Sequence, residues 1–182
     1  LTNGVSRRAA IQRTLLPVML GWFADGPDPD AGLLGFRQVS DALGSTPWYL
    51  RLLRDESQTA QSMAHLLASS RFATDLLLRA PDAVQILADN AELVPRPAGD
   101  IAAEALAAGL RQADPEAATG AIRATRRREL FRISAADCLG RLTIDEVGPA
   151  LSAIADATVQ SALAVATASV LVQGVQAEDL VE

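Results

Sequence analysis

Five arginines crowd one stretch of this chain: Arg123, Arg126, Arg127, Arg128 and Arg132. A guanidinium presents N–H donors in a planar fork that matches carboxylates and phosphates. Cations at helical spacing therefore offer a way to hold an anion, or to dock against a carboxylate-bearing surface. Arg128 and Arg132 are four apart, so on a helix they share a face and repel. Water, carboxylates from a neighbouring helix, or an anionic ligand such as phosphate must offset that repulsion. At roughly 100° per residue, Arg126 and Asp137 fall on the face that carries Ile122, Leu130 and Ile133. A charged pair on an apolar face predicts buried salt bridges to other helices; an anion-contacting role and plain exposure to water are the alternatives. The candidates for anion or inter-domain contact are thus Arg126, Arg128, Arg132 and Asp137. No catalytic residue and no metal ligand is assigned.

The other groups capable of chemistry are isolated. His65 is the single histidine, which removes most catalytic triads and most zinc sites. Cys138 is the single cysteine, so no internal disulfide can form; it reads as a small core residue. Asp25, Asp28 and Asp30 make an acidic loop, but the glycine and the distal glutamate of a calcium-binding EF-hand loop are absent, so it reads as a capped surface loop. Trp48-Tyr49 follows a proline and reads as packing. No glycine-rich phosphate loop, nucleophile elbow or paired-carboxylate motif is present.

Helices must position these residues. Apolar residues recur at three and four along nearly the whole chain, and helix punctuation is frequent. A first helix is expected from about Ser6 to Ala24, kinked at Pro17. Asp30 is placed to cap a helix over 31–43, Thr46 to cap one that begins at Pro47, and Ser57 the next. Ser69 or Ser70 caps a further helix, and Pro81 opens a short one. Val94 to Gly99 is the best internal linker, dividing possible lobes 1–94 and 100–182. Asp100 caps a helix to about Ala113. Asp114-Pro115-Glu116 reads as cap, first position and acidic first turn of a long helix to about Gly140. For the last helix, Thr143 to Glu146 fits a capping box. Pro149 would then lie inside the helix, so the cheaper start is Gly148 as cap, running to about Gln173.

The class expected is all-α, a multi-helix bundle of about seven to nine helices. With 182 residues and 49% hydrophobic but only 4% aromatic residues, alanine, leucine and valine must build most of the interior. The net charge of −6 argues against a general nucleic-acid binder. All 16 basic residues are arginine. The last helix is apolar enough to raise a membrane span, but Asp156 and Gln160 lie within it, and a buried soluble helix is the expectation. Leu1 in place of methionine, with no signal peptide, points to a boundary inside a longer protein.

The run Arg126-Arg127-Arg128-Glu129-Leu130-Phe131-Arg132-Ile133-Ser134-Ala135-Ala136-Asp137 resembles a segment of the glutamine synthetase adenylyltransferase/adenylyl-removing enzyme family, with its arginine-rich approach to an Arg-Ile pair, small residues and an aspartate. Val147 to Ala157 is similar to the family's next helix. Upstream, Asp30 to Phe36, Pro47 to Leu53, and Ser69-Ser70 followed by Arg79-Ala80-Pro81 are similar to its helical segment in the same order. The resemblance implies a cytoplasmic parent enzyme with two nucleotidyltransferase domains that use magnesium and ATP. One would add AMP to a tyrosine of glutamine synthetase; the other would remove it by phosphorolysis, under control of a PII-type protein. Each such domain is marked by Gly-Ser-Asp-x-Asp, which this chain lacks: Ser40-Asp41 is flanked by Val39 and Ala42-Leu43. The resemblance therefore places the chain as the helical region before the adenylylating domain, expected to lie beyond Glu182. Its expected role is to position or regulate that domain. A free-standing helical adaptor with an arginine-lined anion or protein site is the alternative. Neither nucleic acid nor membrane is an expected partner.

Overall fold

The computed structural model describes residues 15–43 and 46–178. Eight α-helices and two 3₁₀ segments account for nearly all of them, and no strand occurs among the described residues. The helices are α1 (Leu15–Ala24), α2 (Pro29–Leu43), α3 (Pro47–Asp55), α4 (Ser57–Ser69), α5 (Arg71–Arg79), α6 (Ala98–Leu110), α7 (Pro115–Cys138) and α8 (Ile144–Glu178). The 3₁₀ segments, Pro81–Ala88 and Asn90–Leu93, follow α5. The all-α class expected from the spacing is the class found.

The chain divides into two compact units, one of residues 1–94 with 131–143, the other of 95–130 with 144–182. α7 thus gives its first part to the second unit and its end to the first.

The first unit is built on large side chains. Met19, Phe23, Val39, Tyr49, Met63, Leu66, Leu77 and Phe131 are all nearly inaccessible. Phe23 and Phe36 meet as tilted rings, 6.1 Å between centroids. The buried Tyr49 hydroxyl and Ser40 Oγ share a hydrogen bond of 3.0 Å, so the phenol meets the core with its polar end satisfied. α2 lies close against α4 because Gly32 has no side chain. A Cβ there would stand 2.7 Å from Phe23 Cδ1 and 3.0 Å from Ala68 Cβ.

The second unit is built on small ones. Ala105, Ala118, Ile122 and Val165 form one cluster of its core, with Leu106 against it, and Ile101, Ile154 and Ala157 are buried as well. Here too a glycine sets the approach of two helices, because a Cβ on Gly109 would stand 2.9 Å from Val165 Cγ2. Ser161 Oγ, buried on α8, lies 3.1 Å from the Ala102 carbonyl of α6 and 2.7 Å from that of Ala157.

Several helix ends differ from expectation. The N–H of Ala31 donates to Asp28 Oδ1 at 3.1 Å, so Asp28 caps α2 and Pro29 takes the first position, displacing Asp30 into the first turn. Thr46 precedes α3, but its hydroxyl donates to the Leu43 carbonyl at 2.6 Å and caps nothing ahead. Glu56, not Ser57, precedes α4, and Pro97, not Asp100, precedes α6. Ser70 caps α5 as expected, accepting from the Ala73 N–H at 3.1 Å. Pro81 opens its segment as a 3₁₀ helix. The expected helix over Ser6 to Thr14 lies outside the described residues.

The largest correction concerns α8, which starts at Ile144 and keeps Pro149 inside it. Proline near a helix start forfeits one hydrogen bond, to the Asp145 carbonyl, and the helix continues for about eight turns beyond it. Asp145 and Glu146 in the first turn favour this start through the helix dipole.

Candidate functional site

α7 carries the arginines, and both its ends are fixed by local chemistry. Asp114 Oδ2 accepts the Ala117 N–H at 2.8 Å, with Pro115 in the first position. At the other end Gly140 adopts φ +65°, a left-handed conformation that suits glycine. The Gly140 N–H reaches the Asp137 carbonyl at 2.9 Å, and the Arg141 N–H reaches that of Ala136 at 2.8 Å.

Between these ends Ala118, Ile122, Thr125, Glu129, Arg132 and Ala136 are buried, at alternating spacings of four and three. That stripe is rotated from the face set by Ile122, Leu130 and Ile133. Arg126 and Asp137, expected on the apolar face, lie on its flank and are exposed. The buried charges are instead Glu129 and Arg132, three apart, each almost wholly withdrawn from water.

In the second unit Glu129 belongs to a carboxylate–guanidinium set. Arg96 Nη1 donates to Glu129 Oε1 at 2.9 Å and to Glu104 Oε2 at 2.7 Å. Partial burial works against the Arg96 charge, but its hydrogen bonds to Glu104 and Glu129, with the attraction of their charges, outweigh it, and its pKa is raised. Arg128, half exposed, stands 3.9 Å from Glu104 at the edge of the set. Two carboxylates thus face two guanidinium groups, which offsets the crowding of like charges along α7.

In the first unit Arg132 Nη1 meets Glu92 twice, at its carboxylate, 3.0 Å away, and at its backbone carbonyl. Arg132 is therefore an internal tie to the short 3₁₀ segment Asn90–Leu93.

The other three arginines of α7 form no ion pair among the described residues. Arg123 and Arg126 are exposed and Arg127 is partly buried. They lie at i, i+3 and i+4, so they share one side of the helix. The Arg127 Nε is buried with no hydrogen-bond partner. Sequence reasoning grouped Arg126, Arg128 and Arg132 as equals, whereas the structure separates a buried Arg132, an edge Arg128 and an open Arg126. It overlooked Arg96, Glu92, Glu104 and Glu129. Glu129 was visible in the sequence: it lies seven residues beyond Ile122 and three before Arg132.

The remaining chemical groups are occupied or ordinary. Asp28 caps α2 and stands 3.4 Å from Arg71 at the surface. His65 is exposed on α4. Burial pushes the Cys138 thiol pKa up and Asp137 adds to the rise, against a smaller lowering from a hydrogen bond with Ser70; the thiol therefore resists ionisation. Two open clefts of about 270 and 320 Å³ share Asp55, Glu56 and Ala88. Asp55 is already held by Arg54, with contacts of 2.6 and 2.7 Å, and the hydrogen bond keeps its carboxyl below the usual range. Among the described residues no three His, Cys, Asp or Glu side chains gather where a metal ion could sit.

α8 departs from the expected buried helix. Residues Ile144–Leu171 are long and apolar enough to cross a membrane by length and composition, and only 22% of the most apolar window is buried.

Comparison with known proteins places these features in a family context. The family model for glutamate-ammonia ligase adenylyltransferase matches residues 60–180. A bifunctional glutamine synthetase adenylyltransferase/adenylyl-removing enzyme of Streptomyces coelicolor is 51% identical over 178 residues, covering 90% of this chain and 18% of its own length. The enzyme of the same description in Cutibacterium acnes is 53% identical over 163 residues, covering 90% of this chain and 16% of its own length. That of Mycobacterium tuberculosis is 41% identical over 166 residues, covering 90% and 17%. The chain thus spans under a fifth of the length of these relatives.

Proposed function

This chain belongs to the glutamate-ammonia ligase adenylyltransferase family, and on that premise we propose that it is a non-catalytic helical segment of a larger cytoplasmic enzyme that reversibly adenylylates glutamine synthetase on tyrosine. In this reading it positions or regulates an adjacent nucleotidyltransferase domain, and a PII-type protein is the upstream signal. The observation that carries the reading is the match to bifunctional enzymes over 90% of the chain, joined to the lack of any Gly-Ser-Asp-x-Asp sequence in it.

Magnesium and ATP serve the proposed parent enzyme, and the residues of this segment do not suit them. Nucleotidyl transfer needs convergent carboxylates to hold the metal against the phosphates. In and around α7 three carboxylates, Glu92, Glu104 and Glu129, are instead held by arginine, and no metal-binding cluster of carboxylates gathers among the described residues. No step of AMP transfer is assigned to them.

Incubation of the 182-residue chain with ATP, magnesium and glutamine synthetase is expected to leave the synthetase unmodified, while a full-length enzyme carrying this segment transfers AMP. Robust transfer by the chain alone would overturn the reading. A second reading, an anion- or protein-binding adaptor, draws on Arg123, Arg126 and Arg127, which lack ion-pair partners among the described residues. Calorimetry with ATP and with a PII-type protein, comparing the chain with its Arg126→Ala/Arg127→Ala variant, tests it. Null traces from both remove it.

A further inference from the structure

The bare side of α8 is organised. Around this helix, Ala150, Ile154, Ala157, Ser161 and Val165 are buried at spacings of three and four, on the side that packs against α6. A second set recurs on an adjoining side: Leu151, Ala155, Val159, Ala162, Ala166 and Val170, with Leu163 beside it, all exposed. Val159, Leu163 and Val170 are each 67% exposed. Their spacing of four, four, three, four, four keeps the set in register along the helix. Polar Ser152, Asp156, Gln160 and Thr167 fill the third side and are exposed as well. A helix apolar on two of three sides belongs between two partners, and the second unit supplies one.

We infer that this apolar side of α8 is the seat of an apolar helix from the remainder of the same enzyme polypeptide, outside these 182 residues. The inference rests on the proposal that the chain is a segment of a larger adenylyltransferase, and it names the surface through which positioning is exerted. Two observations choose the occupant. The matched relatives keep more than four fifths of their length outside the matched region, so chain to cover the face is in ample supply. The face is also small. From Leu151 to Val170 it runs about 28 Å, and with a width of about 10 Å it offers about 300 Å². Stable complexes of separate chains bury about 800 Å² on each partner. A tethered partner needs far less, because the linker holds it at an effective concentration of about millimolar.

The chemistry of α8 disfavours a lipid surface. Helices that lie on membranes carry lysine and arginine on the polar side. α8 has none, and it bears Asp145, Glu146 and Asp156, which an anionic leaflet repels.

The test places a single thiol on the face. On a Cys138→Ser background, Val159→Cys and Leu163→Cys are made both in the 182-residue chain and in a full-length enzyme carrying this segment. Maleimide should label both positions rapidly in the chain. In the full-length enzyme labelling should be slower by about tenfold or more, at every protein concentration. Equal rates in the two proteins overturn the inference. Protection already present in the chain also overturns it; if that protection grows with concentration, the occupant is a second copy. Co-flotation of the chain with phosphatidylserine vesicles, abolished by Val159→Asp/Leu163→Asp, overturns it in favour of lipid. Failure here is distinguishable from failure of the parent reading. Equal labelling with intact AMP transfer removes only the docking. Protection with AMP transfer unchanged by Val159→Asp/Leu163→Asp keeps the docking and removes the positioning role.

Discussion

The two units solve the problem of the interior differently. The first encloses aromatic and methionine side chains, Phe23, Tyr49, Phe131, Met19 and Met63, and closes over them. The second buries alanines with Ile101, Ile122, Ile154 and Val165 and no aromatic or methionine, and leaves Val159, Leu163 and Val170 in water. Side-chain volume is what lets a small group of helices shield its own apolar surface. Where alanine dominates, helices approach closely but bury little area per residue, and much of a long helix stays uncovered. The largest side chains of the first unit are therefore enclosed within it, although Leu34 and Phe72 stay more than half exposed, while in the second a whole side of α8 is left bare.

The difference can be broken most severely in the first unit. Phe23→Ala removes a ring packed on Phe36 and should destabilise that unit by about 3–5 kcal/mol, measured by urea unfolding followed by circular dichroism. In the second unit the strongest single lever is a charge. Glu129→Ala takes away the buried acceptor of Arg96, which keeps Glu104, so a loss of about 1.5–3 kcal/mol is expected. A Glu129→Ala variant as stable as the parent would show that the set contributes nothing net. Next comes Gly32→Ala, where the added methyl meets Phe23 and the Ala68 backbone, with an expected cost of about 1–3 kcal/mol. Arg126→Ala, at an exposed position, should change stability by no more than about 0.5 kcal/mol. Equal losses from Glu129→Ala and Arg126→Ala would erase the distinction between held and open charges on α7.

The sequence made the helical class plain, because three- and four-residue spacing is a strong signal and serine, aspartate, glycine and proline mark its ends. Ser70, Pro81 and Asp114 fulfil their expected roles. The phase of α7 was harder to read. Its buried stripe contains Thr125, Glu129 and Arg132, so hydrophobicity alone points to the neighbouring side, and Arg126 and Asp137 were drawn inward with it. Burial of Glu129 and Arg132 depends on partners far along the chain, Arg96 and Glu92, which no local pattern identifies. α8 misled for another reason. The cost of Pro149 favours a start at Gly148 only when set against a cap alone, and the helix has 35 residues over which to absorb one missing bond. Its apolar content predicts burial only where enough neighbouring surface exists to cover it, and here most of the apolar stretch stays exposed.

The division of the arginines also governs where proteases can act. With no lysine in the chain, trypsin depends entirely on arginine. Among the described residues most arginines lie within helices, whose hydrogen-bonded backbone resists the extended form that a protease requires. Arg96, Arg111 and Arg141 lie in connections. Arg96 is clamped by two glutamates, whereas Arg111 and Arg141 are exposed. Brief digestion should therefore cut after Arg111 and Arg141, releasing α7 as a discrete peptide between two nicks, while the Arg96–Pro97 bond, which trypsin does not cleave, stays whole. Pro97 thus guards the connection at Arg96, and the two ends of α7 are where the chain opens.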